Sequence, residues 1–394
     1  MKPALFLHIG DPKTGSTSIQ QTLLERTFIC ETRSLDYPSS LSAYPLAKAM
    51  KDDAAPDLAD HRFGHYVQWL AASDSDAAVI SAEQFSTLPP EKVAQTFQTY
   101  FPQQAPTMTV VAYVRPHISR FLSAYAQRTK AGLMHRSLDE FYSAANGKAL
   151  LNFYVRFSNW RAVFGDRFIL RPMARDHLKD GDVVVDFLDI ALSGAPFRLT
   201  GATEVNSSLS VEALAGLRLM HRVMQKFELG ANVQHAVGSR LNTLIAQSPA
   251  KGTKLRISAA LYDRMRSQCE DDAEALDAAF FDQPIMMRAL DAAALETVPE
   301  PQDWDGRTMF PAETQQTLRK STRRLVMSFQ SNPGVWEGAY RHLKGHTDGQ
   351  SAFVPNKAQI KVIEEVEDIL SETVAILTAF SPLQIPDPIQ GSTA

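Results

Sequence analysis

Between Gly10 and Gly15 the chain carries Lys13 and Thr14, and directly after Gly15 come Ser16, Thr17 and Ser18. A lysine, a run of hydroxyl side chains and two glycines so close together suit the wrapping of an anion. If a helix opens here, its first backbone N–H groups point outward at the positive end of the dipole, and a phosphate would meet them near Thr14 to Ser18. A second group lies further along: Arg115, Arg120 and Ser123. An arginine fork followed by a hydroxyl is suitable chemistry for a phosphate monoester. Glu83 is a carboxylate that could accept a proton from an acceptor within hydrogen-bonding reach.

The elements around these residues place them. The apolar run Ala4 to Ile9 meets Gly10 and Pro12, and Ser18 to Leu24 has helical spacing, which reads as strand, tight loop, helix. Ala77 to Ser81 is a short apolar strand ending at Ala82 and Glu83. Thr107 to Val114 is a β-branched strand of the kind buried on both faces. It runs into Arg115 and Pro116 and a helix to about Lys130, with Pro116 expected in the first turn. In a parallel sheet the carboxyl ends of strands face the ligand crevice, so Glu83 belongs on the same rim as the glycine loop. Ser123 lies about two turns into its helix, so it and Arg115 can face one pocket.

The loop comes close to the nucleotide-binding GxxxxGK[ST], but Ser16 stands where that motif needs lysine, and Lys13 precedes the second glycine instead. Pro12 to Ser18 resembles the 5'-phosphosulfate loop of the sulfotransferases that use 3'-phosphoadenosine 5'-phosphosulfate (PAPS), above all their bacterial and carbohydrate-directed branches. Arg115, Pro116, Arg120 and Ser123 are similar to the 3'-phosphate motif of that family, in which serine follows arginine by eight positions. The resemblance spans about residues 3 to 290, with its specific content in these two motifs.

It implies an α/β fold, a central parallel sheet flanked by helices in the P-loop NTPase-like manner, with a helical C-terminal extension. It further implies PAPS as donor and PAP as product, with no metal required, and transfer of a sulfuryl group to a hydroxyl or amine on a carbohydrate or small metabolite. Lys13 would stabilise the bridging oxygen between sulfate and 5'-phosphate, because sulfuryl transfer, like phosphoryl transfer, depends on positioning and cations. Thr14, Gly15, Ser16, Thr17 and Ser18 would hold the 5'-phosphate, and Arg115 and Ser123 the 3'-phosphate. Glu83 is the first choice of general base, since related enzymes use a glutamate after the second strand. Histidine is the rival: His8 reads as a core residue, His117 lies in the 3'-phosphate turn, and His61, His65 and His135 have no assigned place. Asn206 falls where heparan-sulfate enzymes carry a basic loop over the nucleotide, although a helix cap is the preferred reading of Glu204 to Ser210. For Arg120, ion pairing within the protein and ligand contact stand level.

Two other functions fit parts of the chain. A P-loop kinase or NTPase would need the lysine that Ser16 replaces. A non-catalytic PAP- or anion-binding module would bind without turnover and act as a scaffold through its C-terminal helices.

The sequence has 394 residues, 44% hydrophobic and 21% charged, which is ordinary globular composition. Three regions are expected: a domain over 1–290, a linker over 291–310 marked by Pro299, Pro301 and Gly306, and a helical extension over 311–394. A net charge of -4 does not suggest nucleic acid. The stretch from Tyr113 to Arg175 nonetheless holds eleven Lys/Arg against three acids, a neighbourhood a polyphosphate would favour. Two distant cysteines, no secretory leader pattern and no long apolar run lead to the expectation of a cytoplasmic chain without a membrane span. Along Asn356 to Phe380, Ile363, Val366, Leu370, Thr373, Leu377 and Phe380 form an apolar stripe. It would serve a homodimer seam or packing on the chain's own core, and so few heptads favour the second.

Overall fold

A computed structural model describes residues 2–51, 56–144, 150–201, 209–248, 252–302, 304–343 and 353–379. Seven strands form: β1 (Ala4–His8), β2 (Phe28–Cys30), β3 (Leu35–Asp36), β4 (Ala77–Ser81), β5 (Thr109–Val114), β6 (Phe168–Pro172) and β7 (Phe197–Leu199). β5 carries three Val and a Thr, and β4 a Val-Ile pair, whose branching at Cβ favours the pleated backbone. Every residue of β4 and all of β5 after Thr109 are buried, as expected of strands covered on both faces.

The chain divides into two compact units that interleave in sequence. Met1–Phe121, Ala145–Val205 and Tyr262–Leu295 form the first; Leu122–Ala144, Asn206–Leu261 and Glu296–Ala394 form the second.

The first unit is α/β, with a five-stranded parallel sheet in the order β3-β4-β1-β5-β6 flanked by helices. From β1 the chain moves outward to β3, returns through β4, and then crosses to β5 on the other side of β1. The order of strands therefore reverses at β1, and the loops leaving β1, β4 and β5 meet at that reversal, where open α/β sheets bind their ligands. On one face Phe6, Val79, Val111 and Tyr113 pack with Ile19, Phe187 and Leu188. Elsewhere in this unit Phe63 stacks on Tyr100 at 4.3 Å, and Trp160 stacks on Phe164 at 5.5 Å. Burying each such ring contributes about 1.5–3 kcal/mol.

Several details depart from the sequence expectation. Residues 32–56 read as irregular, but the described part contains β3 and a helix, Tyr44–Lys51. Ser34 and Asp76 fix that edge, with the Ser34 N–H donating to Asp76 Oδ2 at 2.8 Å. A two-residue strand has too little periodicity to be seen in sequence. The antiparallel pair of β2 with β7 joins segments far apart in the chain and was likewise unforeseen. Pro116 precedes its helix, His117–Lys130, rather than entering it: the Arg120 N–H donates to the Pro116 carbonyl at 2.8 Å, so Pro116 is the residue before the first turn.

The described part of the second unit is helical apart from an isolated bridge between Ser258 and Val298. Its helices include Val211–Lys226, Ala231–Ala246, Ala312–Ser331, Val335–Leu343 and Lys357–Ala379. Ser210 caps the first of these by accepting from the Ala213 N–H at 3.2 Å, as its sequence suggests. On the last, Val366, Leu370, Thr373 and Leu377 are buried, Leu377 against Gly216, so this stripe is used inside the unit. Phe380 lies outside the described residues. Trp336 donates to Glu367 Oε1 at 2.9 Å, and Arg240 pairs with the same carboxylate at 2.7 Å.

Among the described residues no helix is long and apolar enough to cross a membrane. Nor is there among them a group of three or more His, Cys, Asp or Glu placed to hold a metal ion.

Candidate functional site

The loop leaving β1 is shaped by left-handed backbone. Gly10 has φ +61°, Lys13 φ +73° and Gly15 φ +82°. Glycine takes this region without strain, whereas a lysine there costs about 1–2 kcal/mol and persists only where its surroundings hold it. Asp11 and Thr14 supply part of that hold: Thr14 Oγ1 donates to the Asp11 carbonyl at 2.6 Å, and the Thr14 N–H donates to the same oxygen at 3.2 Å.

The glycines are also required by close approach. A Cβ on Gly10 would stand 2.8 Å from Ser16 Oγ and 3.1 Å from Glu83 Cβ. A Cβ on Gly15 would stand 2.5 Å from Val183 Cγ1. The loop thus lies directly against the start of the turn Glu83–Thr87 that follows β4, and the rim position expected of Glu83 is where the structure puts it.

Gly15 precedes the helix Ser16–Glu25 without any side-chain cap, which leaves the opening N–H groups to another partner. Ser16 Oγ is buried and finds no hydrogen-bond partner among the described residues. Thr17 is exposed, Ser18 is half-buried and Thr14 is fully buried.

Arg115 comes to this loop from the end of β5. Its Nη1 donates to the Lys13 carbonyl at 3.2 Å, and its Nε donates to Ser119 Oγ at 3.0 Å. The two motifs recognised in the sequence are therefore in direct contact. Ser123 lies one turn beyond Ser119 on the same helix and is half-buried. Asn206 lies outside the described residues.

Arg120 is an internal ion pair: its Nε donates to Asp11 Oδ2 at 2.9 Å, with Arg120 4% and Asp11 0% exposed. The sequence reading missed the other half of this arrangement. Arg156 Nη2 stands 2.9 Å from Asp11 Oδ1, and its guanidinium lies over the Phe157 ring at 4.7 Å. Eleven cations in the stretch Tyr113 to Arg175 were the available signal, but nothing in spacing singles out Arg156 from the rest.

The electrostatics favour an anion. Burial lowers the pKa of Lys13; Glu83 opposes that fall, and the charges of Arg115 and Arg120 deepen it. Arg115 is lowered by burial and then by Arg120. Glu83 is raised by burial, with Lys13 and Arg120 pulling down and Asp11 pushing up. Lys13 and Arg115 are each made less basic by neighbouring cations, an effect that a further negative group beside them would relieve.

The histidines divide clearly. His8, fully buried in β1, is held neutral by burial, which drops its pKa to about 3. Its Nδ1 shares a hydrogen bond with Ser81 Oγ at 2.8 Å, and Gln20 Nε2 donates to the same hydroxyl at 3.0 Å. His117 Nε2 pairs with Asp272 Oδ2 at 2.9 Å, and Asp272 also accepts the N–H groups of Phe153 and Tyr154. Both are built into the frame.

Fold and site together describe an α/β protein with a cationic loop at the reversal of its sheet. No family model matches the chain, and no curated protein matches it in sequence. Among solved structures, a sulfotransferase from Alicyclobacillus acidocaldarius is similar at a TM-score of 0.41 and 11% identity, over 73% of this chain and 100% of that one. Overlap at that level carries no chemistry across, and the site stands on its own residues.

Proposed function

We propose that this protein is a PAPS-dependent sulfotransferase that moves a sulfuryl group to a hydroxyl or amine on a carbohydrate or other small acceptor. The observation that carries the reading is the contact of the two phosphate motifs, with the Arg115 guanidinium on the Lys13 carbonyl at 3.2 Å. Each motif alone is a common strand-to-helix turn. Two in contact at one sheet reversal suit a donor that is charged at both ends.

The residues fit that donor. The Ser16 hydroxyl, buried without a partner among the described residues, together with the N–H groups that open its helix, suits the 5'-phosphate end. Thr14, Thr17 and Ser18 complete the turn around it. Arg115 and Ser123 are assigned to the 3'-phosphate. When bound, PAPS supplies the activated sulfuryl group.

The chain's own residues then have separate tasks. Lys13 places an ammonium beside the oxygen on which negative charge grows as the sulfur–oxygen bond breaks. Glu83, whose affinity for a proton is raised, accepts the proton of the attacking hydroxyl. Each charge opposes the effect of burial on the other: Glu83 raises the Lys13 pKa that burial lowers, and Lys13 lowers the Glu83 pKa that burial raises.

A thermal-stability comparison tests the reading. With PAP at about 100 times Kd the fold should gain about 2.7 kcal/mol. ATP with Mg2+ and inorganic sulfate should give clearly less, and equal stabilisation by PAP and ATP would defeat the proposal.

A further inference from the structure

Asp11 has no role in the phosphate cradle as described, yet it is fully buried, with an ion pair at each carboxylate oxygen. Its N–H donates to Thr14 Oγ1 at 3.3 Å and its carbonyl accepts from the same residue, which closes the turn. Its carboxylate reaches away from the turn to Arg120 on the helix after β5 and to Arg156 on the helix Phe153–Phe164, at 2.9 Å each. A single side chain therefore joins the loop to two other elements, and Phe153 and Phe157 hold the Arg156 guanidinium against their rings.

Such an arrangement answers a physical difficulty. Cations gathered for an anion repel one another and lose hydration before the anion arrives. A fixed carboxylate behind the loop offsets that cost and sets the direction of the guanidinium groups. We propose that Asp11 is the positioning residue of the anion site, holding Arg120 and Arg156 against the loop so that turn and cations are in place before the donor binds. The proposal rests on the donor reading above.

The experiment is calorimetric titration of PAP into wild type, Asp11→Asn and Arg156→Gln. Removing a negative charge near an anion site would by Coulomb attraction alone tighten binding. Positioning requires the opposite: Kd for PAP rises about tenfold or more in Asp11→Asn. Arg156→Gln should show a smaller loss in the same direction.

A second readout separates this role from simple packing. Lys13, Asp11 and Arg120 are the charged groups that act on Glu83, and Asp11 is the one that raises it. In Asp11→Asn the acid limb of kcat/KM should therefore move to lower pH, because the remaining neighbours are cations.

Tighter or unchanged PAP binding by Asp11→Asn overturns the positioning role and leaves the donor reading standing. If that variant does not fold, Arg156→Gln decides: weakened binding upholds the proposal and an unchanged Kd overturns it. A wild-type chain indifferent to PAP overturns the donor reading and this inference together.

Discussion

The two strand-to-helix junctions that meet at the sheet reversal are made of different materials. After β1 the chain turns on backbone, with positive φ at residues 10, 13 and 15 and a helix left uncapped by side chains. After β5 no positive φ occurs from Arg115 through Lys130, and Pro116 leads into the helix. There the polar contacts come from a guanidinium, which bonds Ser119 on its own helix and the Lys13 carbonyl on the other junction. The first junction presents N–H groups and is intolerant of an added Cβ. The second presents a fork and is intolerant of losing its planar donors. One anion site can thus depend on backbone shape at one end and on side-chain chemistry at the other.

Substitutions that act on one junction and spare the other test this contrast. The largest effect is expected at Lys13, where Lys13→Ala should lower sulfuryl transfer from PAPS about 10²–10³-fold with the circular dichroism of the fold unchanged. Full activity would remove lysine from the chemistry.

Arg115→Lys keeps the charge and loses the fork, so PAP should bind about tenfold more weakly. Adenosine 5'-phosphosulfate, which lacks the 3'-phosphate, should bind as before. An equal loss for both ligands would reassign Arg115 from the 3'-phosphate to the support of the loop, the role its bond to the Lys13 carbonyl already gives it.

The smallest effects concern backbone alone. Gly15→Ala at φ +82° and against Val183 should cost about 1–2 kcal/mol in urea unfolding. Pro116→Ala, at the junction that uses no such conformation, should cost less than about 1 kcal/mol. Similar losses at the two positions would erase the difference between the junctions.

Much of the sheet could be read from sequence, because β1, β4 and β5 are largely apolar runs bounded by turn residues. The helix Val211–Lys226 follows from its Ser210 cap and its spacing, whereas the Val run that opens Val183–Ala191 leaves helix and strand both open in sequence. What escaped were short or distant pairings: β3 with two residues, and β2 with β7, whose partners are separated by most of the first unit. Local pattern holds no information on which distant segment completes an edge.

For the site, the sequence determined the residue types and their place at strand ends: Lys13 between two glycines, a glutamate after β4, an arginine after β5. Hydrogen-bond geometry and backbone strain are local enough to be written in such short motifs. Only the tertiary structure decided the partners. It committed Arg120 to Asp11, brought Arg156 across from another helix, and set Glu83 against Gly10. A buried charge is paired by whatever lies nearest in space, and the nearness of residues 11, 120 and 156 comes from the crossing of strands rather than from any spacing along the chain.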